Sequence, residues 1–339
     1  MRLSGDSIQR KSLTGSNFKP PFLVVVVDFM QNDKNMTESI QNRIRVLLKE
    51  RNAILLVHNY QIPEVQDMAD LCGDSLELSI KASETDSDVI VFCGVHFMAE
   101  TASILSPEKV VLLPVINAGC PMADMITAED LRKKKLEMPD AVVISYVNTT
   151  AEVKAESHIC CTSANAVQVA NSVDLNQRIF MTPDRNLAKY TKRLTGRDIS
   201  YWDGYCPIHN NLTAEQVEKV KKAHPEGIFL AHPECPPEVL ELADEIKSTS
   251  GMIAYATSSA RKEFIIGTET GILYPLSRSN PDKVFIPADP QMVCPDMKKT
   301  GLKEILQALE KMEPVVKVPE EIRRKAKGAV DRMLNIPKE

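Results

Sequence analysis

Three cysteines, Cys120, Cys206 and Cys294, are each followed directly by proline and stand 86 and then 88 residues apart. Thiolates are soft ligands, so several of them at one point suit a soft metal or an iron-sulfur cluster, and three rather than four leave one metal position open for chemistry. His209 lies three residues after Cys206, with Ala123 and Met297 in the equivalent places. Zinc held by the three thiols and His209 would make a closed structural site. The local C-x-x-C pairs usual in such sites are missing, and one ligand per repeat points instead to a cluster at a junction between units. Cys72, Cys93, Cys160 and Cys161 lie off the repeated Cys-Pro column and read as small buried hydrophobes, while Cys235 precedes a proline at a different place in its unit.

The same offsets recur in other columns. The apolar runs AILLVH (53–58), AVVISY (141–146) and GIFLAH (227–232) are 88 and then 86 residues apart, and each reads as a buried strand. Where these runs end, aligned positions carry His58, Tyr146 and His232, then Tyr60, Asn148 and Glu234. A core column keeps one residue class. These two columns vary among imidazole, phenol, amide and carboxylate on a common backbone, as one asymmetric site on a pseudo-threefold axis requires, and such groups can move protons and orient a polar substrate. A further column, Ser75, Ser163 and Thr249, reads as helix N-caps whose hydroxyls lie beside backbone N–H groups, an environment suited to carboxylate or phosphate.

The elements that must position these groups follow from the repeat. Behind each first strand comes Glu64-Val65, Glu152-Val153 or Glu238-Val239, opening a polar stretch of helical spacing, with Pro63 and Pro237 at helix starts. Second strands follow as VIVFC, RIFM and EFII, and third strands at 110–114, 199–202 and 284–287, each shortly before its Cys-Pro. The unit is β-α-β-α-β. Alternating short apolar runs and helices imply α/β architecture: three pseudo-equivalent αβα sandwiches with parallel sheets and right-handed crossovers, arranged as a triangle around a central cluster. The expected divisions are an extension over 1–36, units over 37–122, 123–208 and 209–296, and C-terminal helices within 297–339 that pack on the core. Helical patterning is expected at 37–49, 302–311 and 319–334.

A chain of 339 residues, 43% hydrophobic and 26% charged, can bury ample core as two or three modest domains. A formal net charge of −5 offers no general attraction to nucleic acid or anionic membrane, so substrate anions must be drawn in locally. The apolar stretch 22–27 ends at Asp28, too short for a secretory core of roughly 7 to 15 residues or for a bilayer span. Eight cysteines without a recognisable leader fit a reducing cytoplasm better than a disulfide framework.

The strings HNYQIPEVQDMAD, FCGVHFMAE, GCPMA, YVNTTAEVK, CTSANA, PDRNL, CPIH, HPECP, STSGM and GTETG closely resemble the quinolinate synthase family, from about Arg51 to the C-terminus and in all three units. The resemblance implies a [4Fe-4S] cluster on Cys120, Cys206 and Cys294, and condensation of iminoaspartate with dihydroxyacetone phosphate to quinolinate, phosphate and two waters, in de novo formation of NAD. It implies active-site roles for His58, Tyr60, Ser75, Tyr146, Asn148, Ser163, His209, His232, Glu234 and Thr249. Tyr60 and Glu234 are expected as the main acid/base pair, Tyr146 and Asn148 as orienting donors, Ser75, Ser163 and Thr249 as anion binders, and the three histidines as anion ligands or proton carriers. The two substrates and the enzyme supplying iminoaspartate are the implied partners; no nucleic acid and no membrane is expected. Some relatives carry further cysteines around the last ligand, where this chain has Gln291 and Met297, so no redox-controlling disulfide is expected there. Two rival classes fit the three-cysteine scaffold alone: a cluster-dependent reductase, such as the hydroxymethylbutenyl diphosphate reductase or diphthamide-forming enzymes, and a non-enzymatic redox sensor. Neither accounts for the HNY, YVN and HPE set.

Overall fold

Runs of Val, Ile, Leu and Phe with no polar alternation form strands buried on both faces, and only a parallel sheet covered by helices on each side can accommodate them. A computed structural model of the chain describes residues 21–336, with side chains from Met36 onward. The expected extension over 1–36 therefore lies outside the described residues up to residue 20. The helix expected over 37–49 is the latter part of a longer one, α1 (Pro21–Glu50).

The first unit runs β1 (Ala53–His58), α2 (Pro63–Gln66), β2 (Leu71–Gly73), α3 (Ser75–Glu84), β3 (Val89–Cys93), α4 (His96–Leu105) and β4 (Val110–Leu112). The second runs α5 (Ala128–Glu137), β5 (Val142–Tyr146), α6 (Ala151–Ala155), β6 (Ile159–Cys161), α7 (Ala166–Ser172), β7 (Ile179–Thr182), α8 (Arg185–Thr195) and β8 (Ile199–Tyr201). The third runs α9 (Pro207–Asn210), α10 (Ala214–Ala223), β9 (Ile228–Ala231), α11 (Pro237–Leu240), β10 (Glu245–Ile246), α12 (Thr249–Ser258), β11 (Glu263–Gly267), α13 (Leu273–Ser279) and β12 (Val284–Pro287). Two helices, α14 (Leu302–Lys311) and α15 (Glu320–Leu334), end the described chain.

Each unit is one parallel four-stranded sheet with the same order: β2-β1-β3-β4, β6-β5-β7-β8 and β10-β9-β11-β12. The chain is thus an α/β protein of three pseudo-equivalent units. One correction to the sequence reading is structural. The polar stretch after each first strand is not one helix but a short helical turn, a two- or three-residue edge strand and then a longer helix, so each sheet has four strands rather than three. Cys72, Cys160 and Cys161 sit on two of those edge strands.

Helices α14 and α15 pack through their apolar stripes. Ile305 and Leu309 of α14 join Ile44, Leu47 and Leu48 of α1 over Leu55 and Val57 of β1. On α15, Ala326, Ala329, Val330 and Met333 turn inward, and the Asn165 amide donates to the carbonyls of Met333 and Ile336 at 3.2 and 3.3 Å. Between the two helices the chain runs antiparallel to β4: Val316 N–H donates to Val111 O at 2.8 Å and Leu113 N–H to Pro314 O at 3.2 Å. That pairing covers the open edge of the first sheet. Among the described residues no helix is long and apolar enough to cross a membrane.

Candidate active site

The first strands β1, β5 and β9 end pointing at one another, and the loops that leave them, together with the three Cys-Pro loops, enclose a single cavity. In open α/β sheets ligands gather at this carboxyl-end position. Unit one contributes His58, Tyr60, Ser75 and Cys120; unit two contributes Tyr146, Asn148, Ser163 and Cys206; unit three contributes His209, His232, Glu234, Thr249 and Cys294. Every site residue expected from the sequence lines this space.

The capping expectation is corrected. The cap of α3 is Asp74, whose carboxylate accepts from Leu76 and Glu77 N–H at 3.0 Å, and the cap of α12 is Ser248, which accepts from Gly251 N–H at 3.2 Å. Ser75 and Thr249 are the first helical residues instead. Ser163 precedes Asn165, which organises its turn by accepting Thr162 N–H at 2.8 Å. The hydroxyls of this column are therefore spared capping and turn into the cavity. Thr249 Oγ1 accepts from Asn59 Nδ2 at 3.1 Å, and Ser163 Oγ meets His232 Nε2 at 3.2 Å.

The repeat also fixes tautomers. His58 Nδ1 accepts from Tyr60 N–H at 3.1 Å, and His232 Nδ1 from Glu234 N–H at 3.4 Å, the same i+2 contact in units one and three. The proton of each neutral ring therefore sits on Nε2, and His232 donates it to Ser163. Across the cavity runs a chain of close polar contacts. Glu234 Oε2 lies 2.6 Å from His209 Nδ1, His209 Nε2 lies 2.7 Å from Thr268 Oγ1, and Thr268 Oγ1 lies 2.5 Å from the Tyr60 hydroxyl. His209 stacks on His232 with ring centroids 4.6 Å apart. Asn148 Oδ1 is buried without a hydrogen-bond partner among the described residues, an acceptor left for a ligand's donor.

Charge in the cavity centres on Glu234. Burial would raise its carboxyl, but His209 and His232, with the Tyr146 hydroxyl, outweigh that and hold it down at about 2. Burial and the Glu234 charge push the Tyr60 and Tyr146 phenols well above their ordinary value. Burial lowers His58 to about 3 and His232 to about 3, so both are neutral at neutral pH. The unfolded chain protonates these rings below their ordinary 6.5 while the folded chain does not until about 3, so their contribution is complete above 6.5 and is lost as pH falls through that window. At about pH 5 each imidazole is expected to cost roughly 2 kcal/mol of folding stability. Urea denaturation of the reduced, iron-free chain at about pH 7.5 and about pH 5 measures this. His58→Gln should shrink the difference by roughly 2 kcal/mol and leave the His232 share, and an equal difference in that variant would show that His58 protonates freely in the fold.

The family model described as quinolinate synthetase A protein matches residues 42–335. The chain is 57% identical over 302 residues to the quinolinate synthase of Geobacter sp. (strain M21), covering 89% of this chain and 99% of that protein. It is 55% identical over 302 residues to that of Thermodesulfovibrio yellowstonii, again 89% and 99%, and 54% identical over 294 residues to quinolinate synthase 1 of Methanosarcina acetivorans, at 87% and 96%. The chain belongs to the quinolinate synthase family.

The donor set of this quinolinate synthase family member fits the cluster its resemblance implies. Three half-buried thiols, one from each unit, face one cavity. Burial pushes Cys120 up to about 12, with Glu234 and Cys294 adding to it; burial, Glu234 and Cys120 raise Cys206. The thiols are thus near enough to feel one another's charge, and only a bound cation could keep them together as thiolates. Among the described residues, the set of ligand atoms close enough to grip one ion, all within 4.8 Å, is Cys206, His209 and Glu234 rather than the three cysteines. The remaining cysteines behave as core or edge residues: Cys93, Cys160, Cys161 and Cys235 are buried, and all eight are free. Met297 is buried in the cavity wall, its Sδ accepting from the Gln61 amide at 3.4 Å.

Three groups escaped the sequence reading: Thr268, Asp184 and Glu269. All lie at the ends of the second strands, where Val95, Asp184 and Glu269 are the N-cap residues of the next helical segment. This column repeats at 89 and then 85 residues. A fixed shift of 88 and 86 therefore passes it by, although FCGVHFMAE, PDRNL and GTETG contain it.

Proposed function

We propose that this chain is a quinolinate synthase that condenses iminoaspartate with dihydroxyacetone phosphate, releases phosphate and two waters, and forms quinolinate for NAD synthesis in a reducing cytoplasm. The observation that carries the reading is the convergence of one cysteine per unit with two phenols, three imidazoles and a carboxylate on one cavity. The reaction balances without net electron transfer, so it needs acid/base and Lewis-acid catalysis rather than an external reductant. Cys120, Cys206 and Cys294 would hold a [4Fe-4S] cluster, and when bound it supplies a Lewis-acidic iron lacking a fourth protein ligand.

The chain's own groups supply the rest. Glu234, anionic at neutral pH, is the base and the neutral Tyr60 hydroxyl is the acid; His209 lies between them, 2.6 Å from Glu234 and hydrogen-bonded through Thr268 to Tyr60 at 2.7 and 2.5 Å. Tyr146 and Asn148 orient the substrate from unit two, the Asn148 carbonyl through its vacant acceptor. Ser75, Ser163 and Thr249 bind carboxylate or phosphate oxygens at helix starts, and His58, neutral with its proton on Nε2, donates to an anion without adding charge. Iminoaspartate reaches the site from the enzyme that makes it.

The test is a product assay. Anaerobically purified protein should be brown, hold about four irons per chain, and form quinolinate from the two substrates. Iron-loaded protein that makes none, or colourless zinc-loaded protein that does, would overturn the reading.

A further inference from the structure

The three cysteine loops are tied to the second strands by one repeated backbone bond. His96 N–H donates to Ala118 O, Arg185 N–H to Gly204 O and Thr270 N–H to Met292 O, each at 2.8 Å and each to the carbonyl two residues before a Cys-Pro cysteine. Gly204 must be glycine for this approach, since a Cβ there would stand 2.6 Å from Pro183 O. The residue before each of these donors is the slipped column Val95, Asp184 and Glu269.

In two units that column does more. Asp184 Oδ1 caps α8 by accepting Leu187 N–H at 2.7 Å, while Oδ2 accepts the N–H of Cys206 at 3.1 Å. Glu269 Oε2 accepts Gly271 N–H at 2.7 Å, while Oε1 accepts the N–H of Cys294 at 3.0 Å. Both carboxylates are buried, at 2% and 0% exposure. Glu269 is further braced by Lys298 Nζ at 2.9 Å, and the same ammonium reaches the Tyr60 carbonyl. In unit one Val95 offers no acceptor. There the loop is held from outside: Asp296, two residues after Cys294, accepts Gly119 N–H at 3.0 Å.

We propose that Asp184 and Glu269 are positioning residues that fix the Cys206 and Cys294 loops, and that the Cys120 loop is fixed at second hand, by Asp296 on the Cys294 loop. The assignment rests on the reading of the three cysteines as cluster ligands. Its physical basis is that a part-buried amide N–H loses its acceptor and is left stranded when the carboxyl oxygen that holds it is removed, and that groups holding metal ligands set how tightly the metal is kept. The three ligands are therefore not equivalent. Disturbance at Asp184 stays local to Cys206, whereas disturbance at Glu269 spreads through the Cys294 loop to Cys120.

Amide hydrogen exchange and iron release to a ferrous chelator, measured on the anaerobically reconstituted holoenzyme, test this. Asp184→Ala should speed exchange about tenfold in the segment around Cys206 and at the start of α8 that it caps, and leave the Cys120 and Cys294 segments unchanged. Glu269→Ala should do so around both Cys294 and Cys120, and Asp296→Ala around Cys120 alone. Each should release iron several-fold faster than the parent. Asp184→Asn and Glu269→Gln keep one acceptor oxygen where the carboxylate used two, so exchange at the cysteine segment should fall between that of the parent and that of the alanine variant. Unchanged exchange at the cysteine segments, a uniform rise along the whole chain, or an effect of Glu269→Ala confined to Cys294 would overturn the proposal. If the parent protein takes up no iron, the cluster reading fails, and the exchange pattern of the iron-free chain still decides the clamp.

Discussion

Cys206→Ser is expected to lose its cluster and its turnover together. Of the three cysteines proposed to hold the cluster, Cys206 lies closest to the proposed acid/base groups: its Sγ lies 3.2 Å from His209 Nδ1, and its N–H is held by Asp184. Burial and the Glu234 charge raise its pKa, so the thiolate form exists only by virtue of a bound cation, and a serine hydroxyl is a harder and far less acidic donor. Without the Lewis acid, several kcal/mol of transition-state stabilisation disappear, on the order of a 10³-fold fall in turnover or more. Iron content, visible absorption and quinolinate formation are read on the same anaerobic preparation. Retention of parental iron and parental turnover in Cys206→Ser would refute its role as a ligand. Retained iron with lost turnover would move Cys206 from ligand to catalytic partner of His209.

The legibility of this chain came from triplication, and its illegible parts are those where triplication is imperfect. Strands β3 and β7 are buried at every position, so VIVFC and IFMT stand out as unbroken apolar runs. The edge strands β2, β6 and β10 have two or three residues each, too few for either a period of two or an apolar run to register. The hydroxyl column was found because its spacing matched the first strands. Its role was misread because a Ser or Thr one residue inside a helix looks like a cap in sequence, and Asp74 and Ser248 stand directly before it to take that task. The carboxylate column was missed because a one-residue slip between the first and second strands shifts its offsets. Thr268 was hidden for another reason: its value lies in bridging two residues far away in the chain, Tyr60 and His209, which no local spacing encodes.

A triplicated backbone with unequal side chains also explains how one site becomes asymmetric. His58 and His232 occupy the same place with the same Nδ1 contact, yet His232 stacks on His209 and donates to Ser163, while His58 packs edge-on against Tyr60 with centroids 4.6 Å apart. The second column sets a phenol, an amide and a carboxylate at three equivalent points around the cavity. Each strand end thus supplies the same vector, and substitution alone decides whether that vector carries a proton donor, a neutral dipole or a base.

Glu234→Gln should keep the cluster and lower turnover by about 10²- to 10⁴-fold, the range typical of losing a positioned general base. The amide fills the same volume, and Glu234 is not one of the sulfur donors, so iron content should match the parent. The pH dependence separates loss of charge from loss of shape. The Glu234 anion raises both Tyr60 and Tyr146, so its removal should bring both phenols down toward their ordinary value and move the alkaline limb of the rate profile to lower pH. Tyr60→Phe removes the other end of the chain of polar contacts through Thr268 and His209 and is expected to be comparably slow with its cluster intact. If the two residues act as one acid/base unit, the double variant should be little worse than the slower single one, because a broken chain cannot be broken twice. Effects that multiply in the double variant would show that Tyr60 and Glu234 serve separate steps, and an unshifted alkaline limb in Glu234→Gln would show that the carboxylate does not set the phenols' acidity.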